Sequence, residues 1–391
     1  MSNTYLDNNA TTRVAPEVVD SMLPFLTDHY GNPSSIHRMG ARAAAGIKAA
    51  RERATVFLRC RESEIVFTSG GTESNNTAIR GVLHALPGKR HIVTTRVEHP
   101  SVLEVCKKLE GEGDRVTYLG VDRGGELDLS ELDRAITGET ALVSIMWANN
   151  ETGVVFPIGK IAEITAARGV LLHVDGVQTA GKLPIDLEKT RVDLLTLSGH
   201  KLHAPKGVGL LFVRRQTPIH PLVTGGGQER GRRSGTENLP GIVGFGKAME
   251  IAAAEPLATV ERIGKLRDKL EESILASIPS TARNGARHPR LPNTTNISFE
   301  GVEGEAILLL LDEVGICASS GSACSTGALE PSHVLKAMGL AGAEAIGAVR
   351  FSLSRYTTEE EIDRVIEVLP GIVRRLRGIA DNTRTTDKEA V

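Results

Sequence analysis

This chain has few aromatic residues and almost no excess of positive or negative charge. Phe, Trp and Tyr make up 3% of its 391 residues, and 46 basic residues nearly offset 48 acidic ones, which leaves a formal net charge of −2. Nucleic-acid binding commonly needs a basic face and aromatic side chains that stack on bases. The composition therefore predicts no nucleic-acid partner.

Long hydrophobic runs are lacking as well. A helix that spans a membrane needs about 20 consecutive, mostly apolar residues, and no stretch of the sequence approaches that length. The start of the chain, MSNTYLDNNATT, lacks the basic and apolar regions of a signal peptide. We therefore expect no membrane partner and no export.

Cysteine is rare, with residues only at positions 60, 106, 317 and 324. They form no CxxC pair and no spacing typical of a zinc site or a disulfide framework, so we predict no metal site and a reducing, cytoplasmic compartment. Cys324 stands apart because it lies in ASSGSACSTG, residues 318–327, whose glycines and serines favour a mobile loop. The other three cysteines are interpreted more simply as small apolar or surface residues.

Short apolar runs alternate with helix-like stretches between residues 64 and 213. This alternation predicts an α/β domain with a mainly parallel sheet and helices on both faces. Ligands of such a domain gather where the strands end. The runs interpreted as strands are EIVFTS, HIVTT, RVTYLG, ALVSIMW, VLLHVD, VDLLTLS and GVGLLFV.

A smaller domain is predicted to follow. Beyond the helical stretch LPGIVGFGKAMEIAAAE, strands and helices mix in shorter order, as in TTNISFEG, EAILLLLDEVG and AVRFSLS, which is typical of an α+β unit. We assign residues 15–255 to the large domain, and residues 1–14 and 256–378 to the small domain, which carries the cysteine loop. The polar end, residues 379–391, is predicted to be a flexible tail.

Two polar residues stand at the ends of neighbouring predicted strands. Lys201 follows TLSGH, and Asp175 ends VLLHVD. Alone, the lysine is more often a solvated loop residue, and the aspartate is as often a helix cap. Together in one crevice they match pyridoxal 5′-phosphate, which needs a lysine for the imine and a carboxylate beside the pyridine nitrogen. The pair therefore predicts this cofactor.

The stretch FTSGGTESNN, residues 67–76, runs from a strand through a glycine turn into a helix. Glycine permits close backbone approach, and the first amides of a helix bind phosphate, to which Thr72 could add a hydroxyl contact. A glycine pair before a helix is common, so the motif alone is weak evidence. Its spacing departs from GxGxxG, which counts against a dinucleotide.

Three further positions have a functional interpretation that competes with a structural one. His99, at the end of RVEH, could stack on a cofactor ring and move protons, although a lone histidine there is more often structural. Asn150, in WANNETG, more often forms a turn. Arg350, in GAVRFSLSR, suits bidentate binding of a carboxylate, against the alternative of a surface ion pair.

These motifs, from YLDNNATT to RFSLSRYTTEEEID, resemble those of the pyridoxal-phosphate cysteine desulfurases within the class V aminotransferase family. The similarity covers nearly the whole chain, and MWANNETG, GHKLHAPKG, QERGRRSGTEN and ALEPSHV favour the nitrogenase-associated, NifS-type branch. Two departures are small: SACSTG stands where relatives often have SACTSG, and SGGTES where many have SGATES. Both keep small or hydroxyl-bearing residues, so neither puts the activity in doubt.

The resemblance implies a fold-type-I homodimer with active sites at the subunit interface. Cys324 would be the nucleophile, Lys201 would form the Schiff base, and His99 would stack on the ring and move protons. Substrate would be bound by Asn150 and Arg350, with Asn32, in YGNPSS, as a weaker candidate. The residues implied to hold the cofactor are Gly71, Thr72, Asn150, Asp175, Gln178, Ser198, His200 and Lys201, with Thr236 reaching the phosphate of the neighbouring subunit. Among them, the resemblance implies that Gln178 hydrogen-bonds the ring hydroxyl of the cofactor.

The implied reaction converts L-cysteine to L-alanine and leaves the sulfur on Cys324 as a persulfide, for delivery to an iron–sulfur scaffold protein. A mobile loop would carry the thiol between the cofactor and that acceptor. The alternatives are a related cofactor enzyme such as an aminotransferase or selenocysteine lyase, a nicotinamide dehydrogenase, and a scaffold without catalysis. The presence of Lys201, Asp175 and Cys324 argues against the last of these. The acceptor, and a nitrogenase role against a general iron–sulfur role, stay open.

Overall fold

The structure is a computed structural model that describes residues 3–286, 289–320, 331–340 and 342–389. Cys324, with most of the loop predicted to be mobile, lies outside the described residues. The helices are α1 (Pro16–Thr27), α2 (Arg38–Leu58), α3 (Gly71–Ala85), α4 (Pro100–Gly111), α5 (Leu129–Ala135), α6 (Ile158–Arg168), α7 (Leu239–Ala253), α8 (Leu257–Ser277), α9 (Gly304–Glu313), α10 (His333–Ala337), α11 (Gly342–Ile346) and α12 (Glu359–Glu389). The strands are β1 (Thr4–Tyr5), β2 (Ile65–Thr68), β3 (His91–Thr95), β4 (Arg115–Leu119), β5 (Thr140–Met146), β6 (Leu171–Asp175), β7 (Leu194–Ser198), β8 (Gly209–Val213), β9 (Thr281–Arg283), β10 (Thr294–Phe299), β11 (Ile316–Cys317) and β12 (Ala348–Ser352).

The central sheet has seven strands in the order β2-β8-β7-β6-β5-β3-β4. Neighbouring strands run parallel except around β8, which pairs antiparallel with β2 and with β7. Each of the seven runs interpreted as a strand forms one, and the predicted α/β class with a mainly parallel sheet is confirmed. The runs are almost continuously apolar because helices cover both faces of the sheet.

Successive residues of a strand pack into opposite helical layers, since side chains alternate across a sheet. Val143 is buried in a cluster with residues of α2, α6 and α7, whereas its neighbour Leu142 is buried with α3 and α4. Val93 and Ile92 of β3 divide between the two layers in the same way. The central sheet therefore lies between these two layers.

A second, antiparallel sheet has the order β12-β10-β9. Leu270 of α8, Leu311 of α9 and Leu369 of α12 pack with Phe351 of β12 in one buried cluster. Leu6 is buried in the same cluster, next to the parallel pairing of β1 with β11. The N-terminal segment thus packs with the C-terminal third of the chain.

The division into residues 15–255 and residues 1–14 with 256–378 stays a proposal. One element departs from it, because Val334 and Leu335 of α10 are buried in the cluster of the central sheet. Helix α12 continues to Glu389, so the segment predicted as a flexible tail is helical as far as that residue.

The parallel strands bring their carboxyl ends to one edge of the central sheet. The chain leaving this edge carries His99 after β3, Asn150 after β5, Asp175 at the end of β6 and Lys201 after β7. The glycine turn after β2 reaches the same edge. A Cβ on Gly209 of β8 would lie 2.6 Å from a Cα atom of that turn, so the close approach requires glycine there.

Candidate active site

A cavity of about 390 Å³ opens at this edge of the sheet. Its size suits a small-molecule ligand. The predicted site residues that line it are Gly71, Thr72, His99, Asn150, Asp175, Gln178, Ser198, His200, Lys201 and Arg350.

Lys201 lies in the short 3-10 turn that follows β7. Its Nζ donates hydrogen bonds to the backbone carbonyls of Asn9 and Ala10, each at 2.6 Å. Burial and the positive charge of Arg350 lower the pKa of Lys201 to about 8, although two nearby carboxylates oppose the shift. A sizeable fraction of this amine is therefore neutral near physiological pH, which is the form that attacks a carbonyl.

Asp175 is buried and held in one orientation. Its Oδ2 accepts from Nδ2 of Asn75 at 2.8 Å, and its Oδ1 accepts from the backbone amide of Val177 at 3.0 Å. Asn75 also donates to Oγ of Ser101 at 2.8 Å, and that hydroxyl lies 2.8 Å from Nδ1 of His99. A chain of hydrogen bonds thus connects the carboxylate to the imidazole.

His99 lines the cavity and caps the N-terminus of α4. Its Nδ1 accepts from the backbone amide of Ser101 at 3.1 Å, which places the proton of the neutral ring on Nε2. Burial lowers the pKa of His99, Asp175 opposes the shift and Lys201 adds to it. The ring can therefore accept a proton and return it within the cavity.

The far end of the cavity is built to take an anion. Gly71 begins α3, and a Cβ there would lie 3.0 Å from Cγ2 of Val177, so a larger residue would narrow the cavity. Thr72, Ser198 and His200 line this end, which adjoins an open cavity of about 400 Å³. Burial and neighbouring cations lower the pKa of His200 to about 4, so its ring is neutral. Helix amides, hydroxyls and a neutral imidazole together suit a phosphate.

Arg350 is buried and also lines the cavity. Its Nη1 donates to the backbone carbonyl of Asn150 at 3.1 Å, and its Nη2 donates to Oδ1 of Asp7 at 2.6 Å. Its Nε has no hydrogen-bond partner among the described residues. A buried donor without a partner is costly, and a bound carboxylate would relieve that cost.

Two buried carboxyl residues hold the start of α10 against this site. The Glu151 carboxylate accepts from the Ser332 hydroxyl, and the backbone carbonyl of Glu98 accepts from Nε2 of His333 at 2.9 Å. Burial raises the pKa of both carboxyls, to about 8 for Glu98. These contacts anchor Ser332 and His333, so the chain that follows residues 321–330 is held beside the site.

Sequence reasoning missed several supporting residues, of which Asn9 and Asn75 are the most connected. Asn9 Nδ2 donates to the carbonyl of Asn150 at 3.1 Å and to Oγ1 of Thr294 at 2.9 Å, so it joins the two sheets. Asn9 lies in the motif YLDNNATT, which by itself gives no sign of this role. Asn75 lies one helical turn after Gly71, on the same face of α3, and that spacing could have identified it.

Two of the predicted site residues, Asn32 and Thr236, do not line this cavity in the single chain. Asn32 is exposed, and its Oδ1 accepts from the backbone amide of Ser34 at 2.9 Å. Thr236 is also exposed and lines a separate cavity of about 150 Å³ together with Ser69 and Gly207. The roles implied for Asn32 and Thr236 stay predictions.

The residues present fit pyridoxal phosphate. The cavity combines an amine with a lowered pKa, a buried carboxylate, and a glycine-lined end with amide and hydroxyl donors.

Within the parts of the chain that the structure describes, no three His, Cys, Asp or Glu side chains gather as metal ligands. Every helix in those parts is too short or too polar to cross a bilayer.

Residues 4–365 match the family model for Aminotransferase class-V. A cysteine desulfurase of Trichormus azollae is 58% identical over 380 residues, which cover 97% of this chain and 95% of that protein. Cysteine desulfurase NifS of Azotobacter vinelandii is 53% identical over 381 residues, with the same coverage of both chains. The resemblance inferred from the motifs is confirmed.

Solved structures agree with these relatives. A NifS-like protein has a TM-score of 0.91 and 42% identity, over 96% of this chain and all of that chain. SspA in complex with cysteine has a TM-score of 0.80 and 38% identity, over 90% of this chain and 99% of that chain. The chain therefore belongs to the class V aminotransferase family, in the group formed by its cysteine desulfurases.

Proposed function

We propose that this protein converts L-cysteine to L-alanine with bound pyridoxal phosphate and retains the sulfur as a persulfide on Cys324. The observation that carries the proposal is that Lys201 and Asp175, from adjacent strands, line one cavity together with Gly71 at the start of α3. The full-length relatives named as cysteine desulfurases, and the SspA structure with cysteine, support cysteine as the substrate.

The bound cofactor would withdraw electrons from the substrate α-carbon, which is the chemistry that the protein itself lacks. Lys201 would hold it covalently, and the Asp175 carboxylate would keep its ring nitrogen protonated. The Gly71 end of α3, with Thr72 and Ser198, would bind its phosphate.

The remaining residues would bind the substrate and move protons. Arg350, with its unpartnered Nε, and Asn150 would bind the α-carboxylate. With its amine free, Lys201 would accept the α-proton of the substrate, and His99 would relay protons nearby. Both side chains line the cavity, and the pKa of each is lowered by burial, so neither is locked in its charged form.

The sulfur transfer balances without an outside oxidant or reductant. The Cys324 thiolate attacks the substrate sulfur, a sulfur–sulfur bond forms, and the carbon–sulfur bond breaks. The carbon keeps the bond's electron pair and gains a proton, which yields alanine. Sulfur would then pass to an iron–sulfur scaffold protein. The NifS relative supports a link to nitrogenase maturation, and the scattered cysteines support a cytoplasmic location.

Product analysis tests this proposal. With pyridoxal phosphate and L-cysteine we expect alanine and a protein-bound persulfide in equal amounts in the first turnover, followed by sulfide release when a thiol reductant is added. Mass spectrometry detects the added sulfur, and amino-acid analysis detects alanine. Formation of a keto acid in place of alanine would favour an aminotransferase, and turnover of selenocysteine without cysteine would favour a selenocysteine lyase.

A homodimer is also proposed, because α1 carries an apolar stripe that faces solvent in a single chain. Val19, Leu23 and Leu26 lie at helical spacing and are 42%, 50% and 58% exposed. Tyr30, just beyond the helix, is 72% exposed. A contiguous apolar surface of this kind is typical of a subunit interface. A second copy covering the stripe would also cover the neighbouring segment that contains Asn32.

Replacement of Leu23 and Leu26 by aspartate tests the interface. We expect the double variant to sediment at half the mass of the native protein, because two charges would be buried without partners in the dimer. A Val56→Asp variant changes an exposed residue of α2, outside the stripe on α1, and should keep the native mass. A monomeric native protein, or a double variant that remains dimeric, would contradict this interface.

A further inference from the structure

Lys182 is a second buried lysine near the site, and the proposed reaction gives it no role. It lies four residues after Gln178, in the segment that follows β6. It does not line the large cavity but lines a smaller one of about 60 Å³. Lys201 lines both cavities, whereas Lys182 lines only the smaller of the two.

Within the described part of the chain, Lys182 donates two hydrogen bonds, and both go to side-chain amide oxygens. Its Nζ donates to Oε1 of Gln178 at 2.7 Å and to Oδ1 of Asn9 at 3.0 Å. Burial lowers the pKa of Lys182 well below its usual value, and the charges of Lys201 and Arg350 act in the same direction. Burying an amine costs free energy, and its hydrogen bonds to the surrounding residues must offset that cost.

These contacts decide which end of the Gln178 amide meets the cavity. Because Lys182 occupies Oε1, the amide cannot turn over without leaving a buried donor facing another donor. Gln178 Nε2 then donates to the backbone carbonyl of Asn9 at 3.0 Å, and this is its one hydrogen bond among the described residues. An amide nitrogen carries two hydrogens, so one N–H remains for a ligand in the cavity.

The same Asn9 residue joins the two lysines. Its backbone carbonyl also accepts from Nζ of Lys201 at 2.6 Å, while its side-chain oxygen accepts from Lys182. Asn9 Oδ1 receives a further hydrogen bond from Nδ2 of Asn293 at 3.1 Å, so its orientation is fixed as well. The arrangement of Gln178 and Asn9 around Lys201 therefore depends on the donor at Lys182.

We propose that Lys182 is a positioning residue that fixes Gln178 as a hydrogen-bond donor toward the ring oxygen of the bound cofactor. The inference rests on the proposed function, because it requires that pyridoxal phosphate occupies this cavity. A donor beside the ring oxygen stabilises its negative charge, and this favours loss of the proton from the neighbouring imine nitrogen. Without the donor, the imine holds its proton to higher pH.

Lys182→Met tests the proposal, because it keeps an unbranched apolar stem and removes the donor. The readout is the pH midpoint at which the cofactor-loaded protein loses its long-wavelength imine absorbance, measured with the rate of cofactor loss on dilution. We expect the midpoint to rise by about one pH unit, which corresponds to the loss of one hydrogen bond to a charged group, and cofactor loss to be faster. Lys160→Met, at an exposed position on α6, should titrate as the native protein does.

Two further variants separate orientation from packing. If Lys182 acts through Gln178, Lys182→Met should add no further shift in a Gln178→Ala background. Lys182→Gln retains an N–H donor, so its midpoint should lie closer to the native one, and it serves if the methionine variant fails to fold. The role of Lys182 is overturned if Lys182→Met has the same pH midpoint as the native protein. It is also overturned if Lys182→Gln raises the midpoint by the same amount whether or not Gln178 is present. A native protein that shows no imine absorbance with pyridoxal phosphate overturns the proposed function instead.

Discussion

Replacement of Cys324 by alanine is expected to abolish both alanine release and persulfide formation, while the cofactor absorbance and its response to L-cysteine remain. The reason is that the thiolate is the only proposed acceptor of sulfur, whereas the residues proposed to bind the cofactor lie on other segments. Absorbance spectra with and without L-cysteine, combined with a persulfide assay, measure the two effects separately.

Cys317→Ala is the matched control for this variant. Cys317 ends β11 and precedes Cys324 by one short segment, and burial together with nearby carboxylates raises its pKa. Burial raises the pKa of Cys60 and of Cys106 to about 12, so these thiols are protonated at physiological pH. Only a thiolate is a competent nucleophile. Undiminished turnover by Cys324→Ala, or loss of the persulfide in Cys317→Ala, would show that the sulfur is carried elsewhere.

Replacement of Lys201 by alanine is expected to lower turnover of L-cysteine by at least about a thousandfold, since in the proposed mechanism one amine both anchors the cofactor and moves the α-proton. Borohydride reduction of the native protein should attach pyridoxal phosphate to Lys201 and not to Lys182, because among the described residues Lys201 lines the cavity and Lys182 does not. Capture of the cofactor by the native protein should quicken as the pH rises toward about 8, the pKa at which burial leaves Lys201 half deprotonated.

Lys160→Ala provides the comparison, because that exposed residue lies on α6, outside the site. It should retain native turnover, native labelling and the native dependence of cofactor capture on pH. Peptide mass mapping locates the label after reduction. A label on Lys182 in the native protein, or a Lys201→Ala variant that keeps turnover and the imine absorbance, would refute the assignment of Lys201.

The central sheet could be predicted in detail because its strands are short, nearly continuous apolar runs separated by clear helical stretches. The same regularity placed Asp175 and Lys201 at neighbouring strand ends, and parallel pairing then brought both to one cavity. The packing of α10 could not be predicted, because Val334 and Leu335 carry no local sign of which of two apolar clusters they join. The polar sequence at the end of α12 is typical of a solvated tail, so it gave no sign that the helix extends to Glu389.

The sequence by itself determined the order of the elements, the family and the chemical groups of the site. These follow from local periodicity and from motifs whose residues lie within a few positions of one another. Only the tertiary structure decided how the N-terminal segment takes part: Asn9 reaches Lys201, Gln178 and Lys182 at once, and Asp7 pairs with Arg350. Such contacts join residues far apart in the chain, and each depends on burial that makes an unpartnered polar atom costly. No pattern within a short stretch can encode that requirement.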